Sequence, residues 1–350
     1  MSISFVVPVH NTGLYLERCL RSLTRTRIMR SEIIVVDDAS TDNSIEIVER
    51  FRRTTPVQVR IVNTGGTVPA SLGAARNLGL SLADCEYIAF IDSDDWISLA
   101  IYEEAALLAD RLRADFAWVR SISYNQMHST FSSFNDQSHR DFLLQGRPFF
   151  LTNGERDPVL GMFEPSTCNR VFRRSFLKAI SFSYPVGILY EDLIPHIQLL
   201  FAAKRVAVIG HTGYYYRTFR PGKLTDRNDE KRRDILQTID RLASVFDENK
   251  SSSMGAYMAA YLVRFVSWCI SAIPFELRDD FVKQAKQRMS ILPQAWVTAA
   301  KRLEVWPGDP FKIVDDHSKS SLSKYFLEVA AQKLSGAKEI KYVFNRRNRD

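Results

Sequence analysis

The 350-residue sequence has only four cysteines, and no two of them form a Cys-x-x-Cys pair. Cys19, Cys85, Cys168 and Cys269 each stand among apolar neighbours, which reads as reduced core thiols. That spacing argues against a structural zinc site or a disulfide framework, and for a reducing compartment. The chain also lacks a low-complexity linker and internal repeats. No Gly-rich loop with a lysine follows the first apolar run, as a nucleotidyltransferase phosphate loop would require. The first residues read as a strand, Ile3–Val9, rather than a charged segment leading into a signal peptide. The longest apolar stretch, Met254 to Phe275, carries Arg264 near its middle and Pro274 near its end. An arginine at the centre of a bilayer costs about 2.5–3.5 kcal/mol. The expectation is therefore a helix buried in protein, with an interfacial membrane helix as the alternative.

What is present is a surplus of positive charge, 47 Lys and Arg against 40 Asp and Glu. The resulting net charge of +7 favours anionic partners: a membrane surface, or phosphate-rich substrates. The basic residues are spread along the chain except for a tail containing Arg346, Arg347 and Arg349, so a solvated surface accounts for most of them. No nucleic-acid partner is expected.

The first third alternates strand and helix patterns. Ile3–Val9, Glu32–Asp37, Val57–Val62 and Glu86–Ile91 are short, β-branched and continuously apolar, the pattern of strands buried on both faces. Helical patterns over Gly13–Thr26, Asp42–Arg53 and Pro69–Ala83 separate them. This order predicts an α/β fold with a doubly wound, mostly parallel, Rossmann-like sheet. Further on, a helix over Ser98–Arg113 and a strand over Ala114–Arg120 are expected. An irregular excursion should run from about Ser121 to Asn153, and regular pattern returns over Pro165–Ile180. A helix over Tyr190–Ala203 and strands over Arg205–Ile209 and Gly213–Arg217 follow. Helical pattern dominates from about Asp226 onward. Two regions result: a catalytic α/β region, 1–225, and a C-terminal helical region, 226–350.

In such sheets ligands bind beyond the carboxyl ends of the strands. Those ends are polar here: Pro8-Val9-His10-Asn11, Asp37-Asp38, Asn63-Thr64-Gly65-Gly66 and Asp92-Ser93-Asp94-Asp95. Two acidic clusters on one rim would repel each other without a cation. Asp92 and Asp94 share a face of an extended segment and offer the hard oxygens that suit Mg²⁺ or Mn²⁺ held with a diphosphate. Asp38 is placed to accept a uracil imide proton, and Gly65 lets backbone approach a ligand closely. Arg76 is a candidate cation for a diphosphate or an anchor for Asp92. Asp42 reads as a helix cap only. His196 and His211 read as ordinary polar positions rather than ligands.

Taken together, Phe5–Asn11, Ile33–Ser44, Ser71–Asn77 and Tyr87–Trp96 resemble, in order and spacing, the family 2 glycosyltransferases with a GT-A fold. The resemblance covers roughly the first two-thirds of the chain. It implies an inverting enzyme that moves one sugar from a UDP-sugar to a hydroxyl of a glycan, polysaccharide or teichoic-acid-type acceptor. By that resemblance Pro8, His10 and Asn11 lie beside the nucleotide, His10 standing where tyrosine is usual. Asp38 reads uracil, Arg76 supports the site, Asp92 and Ser93 face the ribose, and Asp94 with Asp92 holds Mn²⁺ or Mg²⁺. Tyr190-Glu191-Asp192-Leu193 resembles the family's acidic pair, which makes Asp192 the base and Glu191 its neighbour on the sugar. From the residues alone, an acidic helix N-terminus fits equally well. Cys168–Arg174 looks like an Asn-Lys-x-Tyr-Arg-Arg stretch, with Arg170 in place of lysine. Arg217, Arg220 and Lys223 fall in a segment similar to one that closes the site onto the diphosphate. The Gln-x-x-Arg-Trp segment and membrane helices of processive members are missing, which favours single-sugar transfer. A cytoplasmic enzyme is expected, with possible lipid-linked acceptors, peripheral membrane contact and self-association. The alternatives are a non-catalytic nucleotide- or glycan-binding module of the same fold, or a sugar nucleotidyltransferase.

Overall fold

The computed structural model describes residues 1–24, 29–220, 229–242, 245 and 252–305. Lys223, Trp306, the arginine-rich tail and the end of the first expected helix lie outside the described residues.

The chain begins β1 (Ser2–Val9), α1 (Gly13–Ser22), β2 (Arg30–Asp37), α2 (Ser44–Thr54), β3 (Gln58–Asn63), α3 (Leu72–Leu82) and β4 (Tyr87–Phe90). β1 pairs in parallel with β2 and β4, and β2 with β3, giving the order β3-β2-β1-β4. Residues Ile3 to Val9 are all buried, as a strand covered on both faces requires. Pro8 is tolerated in this central strand because it lies past the last β1–β4 pair, Val6 with Phe90.

β5 (Trp96–Ile97), α4 (Leu99–Arg111) and β6 (Phe116–Asn125) follow. The stretch expected to be irregular holds regular elements: the last residues of β6, β7 (Thr130–Ser133), α5 (Gln137–Leu144) and β8 (Phe149–Thr152). β7 is exposed at every position and so leaves no apolar signature; among the described residues it pairs with β6 alone. β9 (Arg170–Arg173) and α6 (Arg174–Ala179) come next, then α7 (Leu193–Ala202) and β10 (Val206–Thr218). The two strands expected over 205–217 are thus one long strand. Its register against β6 shifts between Val208 and Tyr214, which breaks the apolar pattern in the sequence. β9 runs antiparallel between β4 and β6 and joins the parallel β6–β10 pair to the parallel half of the sheet.

The C-terminal helices are α8 (Asp234–Leu242), α9 (Ser252–Ala272), α10 (Arg278–Met289) and α11 (Gln294–Arg302). α9 covers the apolar stretch around Arg264 and is packed in protein: Met258, Leu262, Val266 and Ile270 share one continuous core with Phe5, Val35 and Trp118. Gly255 admits the indole of Trp296 from α11, since a Cβ there would stand 2.2 Å from that ring. Among the described residues no helix is long and apolar enough to cross a membrane. All four cysteines are free and buried.

Candidate active site

The carboxyl ends of β1, β2 and β4 meet over α3, and a hydrogen-bonded network ties their turns together. Asn11, in a left-handed conformation (φ 51°), accepts from the amides of Thr41 and Asp42 through its side-chain oxygen at 2.7 and 3.2 Å. His10 Nδ1 meets the Asp38 carbonyl at 2.7 Å. Asp42 accepts from Gly13 N at 2.9 Å and Ser44 N at 3.0 Å, so it caps two helix starts at once. Thr12 Oγ1 donates to Ser93 Oγ at 2.9 Å and links the first turn to the Asp92–Asp95 turn.

Asp38 is 4% exposed. Its carboxylate accepts from Thr64 Oγ1 and Ala70 N, each at 2.8 Å, and from Ser71 N at 3.1 Å. It thereby fixes the β3–α3 loop, in which Gly65 is exposed with φ 88°. Ser71 caps α3 through Ala74 N and also accepts from Gly187 N at 3.2 Å. Gly73, in the first turn of α3, lets the Tyr184-Pro185 backbone come close: a Cβ would stand 2.1 Å from the Pro185 oxygen. This approach brings the turn before α7 onto α3.

Arg76 of α3 is 1% exposed and is the hub of the site. Its Nη2 donates to Asp92 Oδ1 at 2.8 Å, and its Nη1 donates to Glu191 Oε1 at 2.7 Å and Asp192 Oδ1 at 2.8 Å. Residues 76, 92, 191 and 192 therefore converge from three separate stretches of sequence. Thr167, fully buried, donates to Asp192 Oδ1 at 3.3 Å and accepts from Tyr184 at 2.8 Å. Neither Thr167 nor Tyr184 was singled out from sequence, because nothing in their local pattern departs from ordinary core positions.

One guanidinium serves three carboxylates here, so negative charge is in excess. Burial, then the charge of Asp192, pushes Glu191 up to about 7 against the pull of Arg76. Burial also raises Asp192 above the usual aspartate range, opposed by Arg76. A raised carboxylate is a stronger base, provided it is ionised at the working pH.

Asp94 is 8% exposed and pairs with Arg220 at 2.5 Å. Arg217 is 4% exposed, its Nε donating to the Asp94 carbonyl at 2.7 Å and its amide to Asp95 Oδ1 at 2.7 Å. Arg217 thus sits at the end of β10 over the rings of Tyr15 and Trp96, rather than on a loop. Positive charge beside the Asp92–Asp95 turn comes from Arg76, on Asp92, and Arg220, on Asp94. Among the described residues no group of three His, Cys, Asp or Glu side chains could hold a metal. Asp92 and Asp94 supply hard oxygens on one turn, a donor set that suits an ion sharing its coordination with phosphate and water and does not amount to an all-protein cage.

His196 departs from expectation. It is 1% exposed on α7, and its Nδ1 lies 2.6 Å from Arg170, which stacks over Trp118 at 3.9 Å. Burial, together with the charge of Arg170, lowers the His196 pKa well below its ordinary value. His211 is exposed beside Glu104 at 3.3 Å.

A Rossmann-like sheet, an acidic turn at the end of β4 and an acidic pair opening a helix across the crevice define the GT-A class of nucleotide-sugar folds. The sequence model described as "Glycosyl transferase family 2" matches residues 4–181, and the chain belongs to that family. Staphylococcus aureus (strain Mu50 / ATCC 700699) poly(ribitol-phosphate) beta-N-acetylglucosaminyltransferase TarS is 27% identical over 226 residues, covering 64% of this chain and 36% of TarS. The poly(ribitol-phosphate) beta-glucosyltransferase of Bacillus spizizenii (strain ATCC 23059 / NRRL B-14472 / W23) is 30% identical over 233 residues, 64% of this chain and 33% of its own length. The matched segment is about a third of each of these relatives. The crystal structure of S. aureus TarS 1-349 in complex with UDP-GlcNAc superposes with a TM-score of 0.63 at 18% identity, covering 87% of this chain and 92% of the other. At that identity the likeness establishes the fold.

Proposed function

We propose that this chain is an inverting glycosyltransferase that moves one sugar from a UDP-sugar onto a hydroxyl of an anionic glycan or polyol-phosphate acceptor. The observation that carries this reading is the convergence of Asp92, Glu191 and Asp192 on Arg76. It joins a turn suited to ribose and diphosphate to a carboxylate suited to accept a proton. Asp192 takes the proton from the acceptor hydroxyl as that oxygen attacks the anomeric carbon, and Glu191 lies beside the sugar. Arg76 orients both acids and restrains the charge of Asp92. Pro8, His10 and Asn11 flank the base, Asp38 accepts its imide proton, and Gly65 lines the nucleotide side. Ser93 lies on the ribose side and Arg220 approaches the diphosphate, the role also proposed for Lys223. Asp94, with Asp92, would hold Mn²⁺ or Mg²⁺. Bound there with the diphosphate, the ion would neutralise charge on the departing nucleotide.

The acceptor class follows from two supports: the named relatives act on poly(ribitol-phosphate), and this chain carries a net charge of +7. A cytoplasmic location with peripheral contact at a membrane bearing lipid-linked acceptor fits the same reading. So does a boundary near residue 225 between the catalytic and helical regions. The test is turnover of a panel of UDP-sugars with Mn²⁺, with and without poly(ribitol phosphate) and neutral glycans. Sugar transfer with β-linkage from an α-linked donor supports the proposal; UDP binding without turnover of any donor sinks it.

A further inference from the structure

Tyr190, immediately before the acidic pair, has φ 64°. A bulky non-glycine residue rarely adopts this left-handed conformation, which persists only where its surroundings impose it. The surroundings here are C-terminal. The Tyr190 ring packs edge-on against Phe265 (centroids 5.0 Å apart, planes at 87°) and Trp268 (6.1 Å, 73°), both on α9. Its hydroxyl is close to Cys269 and Arg232. Arg232 in turn lies over the Trp268 ring at 4.0 Å. One residue earlier, Leu189 N donates to Asp234 Oδ2 at 3.0 Å, at the start of α8. The turn that delivers Glu191 and Asp192 is therefore held from two sides: by Arg76 of α3, and by Asp234, Phe265 and Trp268 of the C-terminal helices α8 and α9.

We propose that Tyr190 is a positioning residue whose anchorage on α9, with Asp234 as a second clamp, makes helices α8 and α9 a working part of the active site. The ring seated against Phe265 and Trp268 fixes the backbone twist at position 190, and that twist sets where Asp192 stands relative to Arg76 and the attacking hydroxyl. This inference rests on the transferase reading for its kinetic consequence and on geometry alone for its structural one.

The test compares the 350-residue chain with its Tyr190→Ala, Tyr190→Gly, Tyr190→Phe and Asp234→Ala variants. The readouts are steady-state kinetics with a UDP-sugar and hydrogen exchange of the amides from 189 to 196. A misplacement of about 1 Å costs on the order of 100-fold in rate. Tyr190→Ala and Tyr190→Gly should lower kcat by about 10- to 100-fold, with donor KM within about threefold and faster exchange confined to that segment. Glycine relieves the strained φ but removes the anchor, so a loss in Tyr190→Gly as well separates anchorage from strain. Tyr190→Phe, which keeps the ring contacts, should lose less than either. Should Tyr190→Ala fail to fold, Asp234→Ala tests the second clamp by the same two readouts. An unchanged kcat in the folded variants, or unchanged exchange at 189–196, overturns the inference. A wild-type chain that turns over no donor overturns the proposed function instead, and the exchange comparison then decides the structural claim by itself.

Discussion

Arg76 Nη1 stands 2.8 Å from Asp192 Oδ1 and 2.7 Å from Glu191 Oε1, while Nη2 of the same side chain holds Asp92. A single buried cation thus couples the nucleotide-side turn to the acid pair across the crevice. Burial, then the mutual repulsion of carboxylates that share this one cation, holds the acid pair easily protonated: Glu191 is raised to about 7 and Asp192 above its ordinary range.

The first prediction concerns Asp192. Asp192→Asn keeps the volume and removes the proton acceptor, so turnover should fall by about 10²- to 10⁴-fold with UDP binding retained. Asp192 is raised above its ordinary 3.8 by burial, and only the ionised form accepts a proton. The acid limb of kcat/KM should therefore lie above the range of a free aspartate, activity being lost as pH falls through that raised value. Rate profiles from pH 4 to 8, with calorimetric UDP binding of the variant, check both parts.

The strands and the acidic turn were legible in the sequence because each is a local pattern, an apolar run ended by polar residues; β3, expected to be covered on both faces, is only partly buried. Arg76 was legible as an anchor for Asp92 because the two lie on consecutive elements. Its bonds to residues 191 and 192 depend on the fold of the intervening chain, and specifically on Gly73 admitting Pro185. β7 was not legible because it is exposed throughout and depends on an edge pairing. The buried Arg170–His196 contact joins β9 to α7, two elements with no periodic relation, so a lone histidine on a helix looked like surface.

Glu164 offers a stability test away from the chemistry. Burial, helped by the nearby charge of Asp136, raises it from 4.5 to about 7, and it accepts from Tyr261 of α9 at 3.0 Å. A carboxyl raised on folding favours the protonated native state. Its contribution is complete below about 4.5 and is lost as pH rises through about 7. Glu164→Gln should flatten that decline, each such group contributing at most about 1.4 kcal/mol per pH unit of slope. Glu191 retains a slope of the same sign in this variant. Denaturant midpoints of both proteins between pH 5 and 8 measure the difference.

Asp94 and Arg220 form an ion pair at the place where a divalent ion is proposed to sit. Metal and guanidinium then compete for one carboxylate. Chelation should abolish turnover, and added Mn²⁺ should restore it. Asp94→Asn should raise the Mn²⁺ concentration needed by at least about 10-fold, the lower end for disturbing even an outer partner of a metal site. Arg220→Ala should tighten Mn²⁺ binding without nucleotide by at least about twofold, since an exposed pair is worth ~0.5 kcal/mol and this one is largely buried. The same change should weaken the donor, because Arg220 is then missing from the diphosphate. Calorimetry with Mn²⁺ alone, and donor KM, move in opposite senses if the competition is real.

Asp38 is asked to do two things, and one substitution separates them. Three of roughly four acceptor positions on a carboxylate are filled by Thr64, Ala70 and Ser71. One remains for a base. Asparagine keeps one acceptor oxygen and puts an amino group where the other stood, so at least one loop contact is lost. Asp38→Asn should therefore cost about 1–3 kcal/mol of stability through the unsatisfied loop donor. If the remaining lone pair also meets a uracil imide, UDP affinity should fall on the order of tenfold or more, as for a hydrogen bond to a charged group. An asparagine amide can donate to the unprotonated ring nitrogen of cytosine, so CDP should lose less and the UDP-to-CDP preference should narrow. An equal loss for both nucleotides would assign Asp38 to loop anchorage alone. Competition binding of UDP and CDP to the wild-type and variant proteins, beside their thermal midpoints, distinguishes the two outcomes.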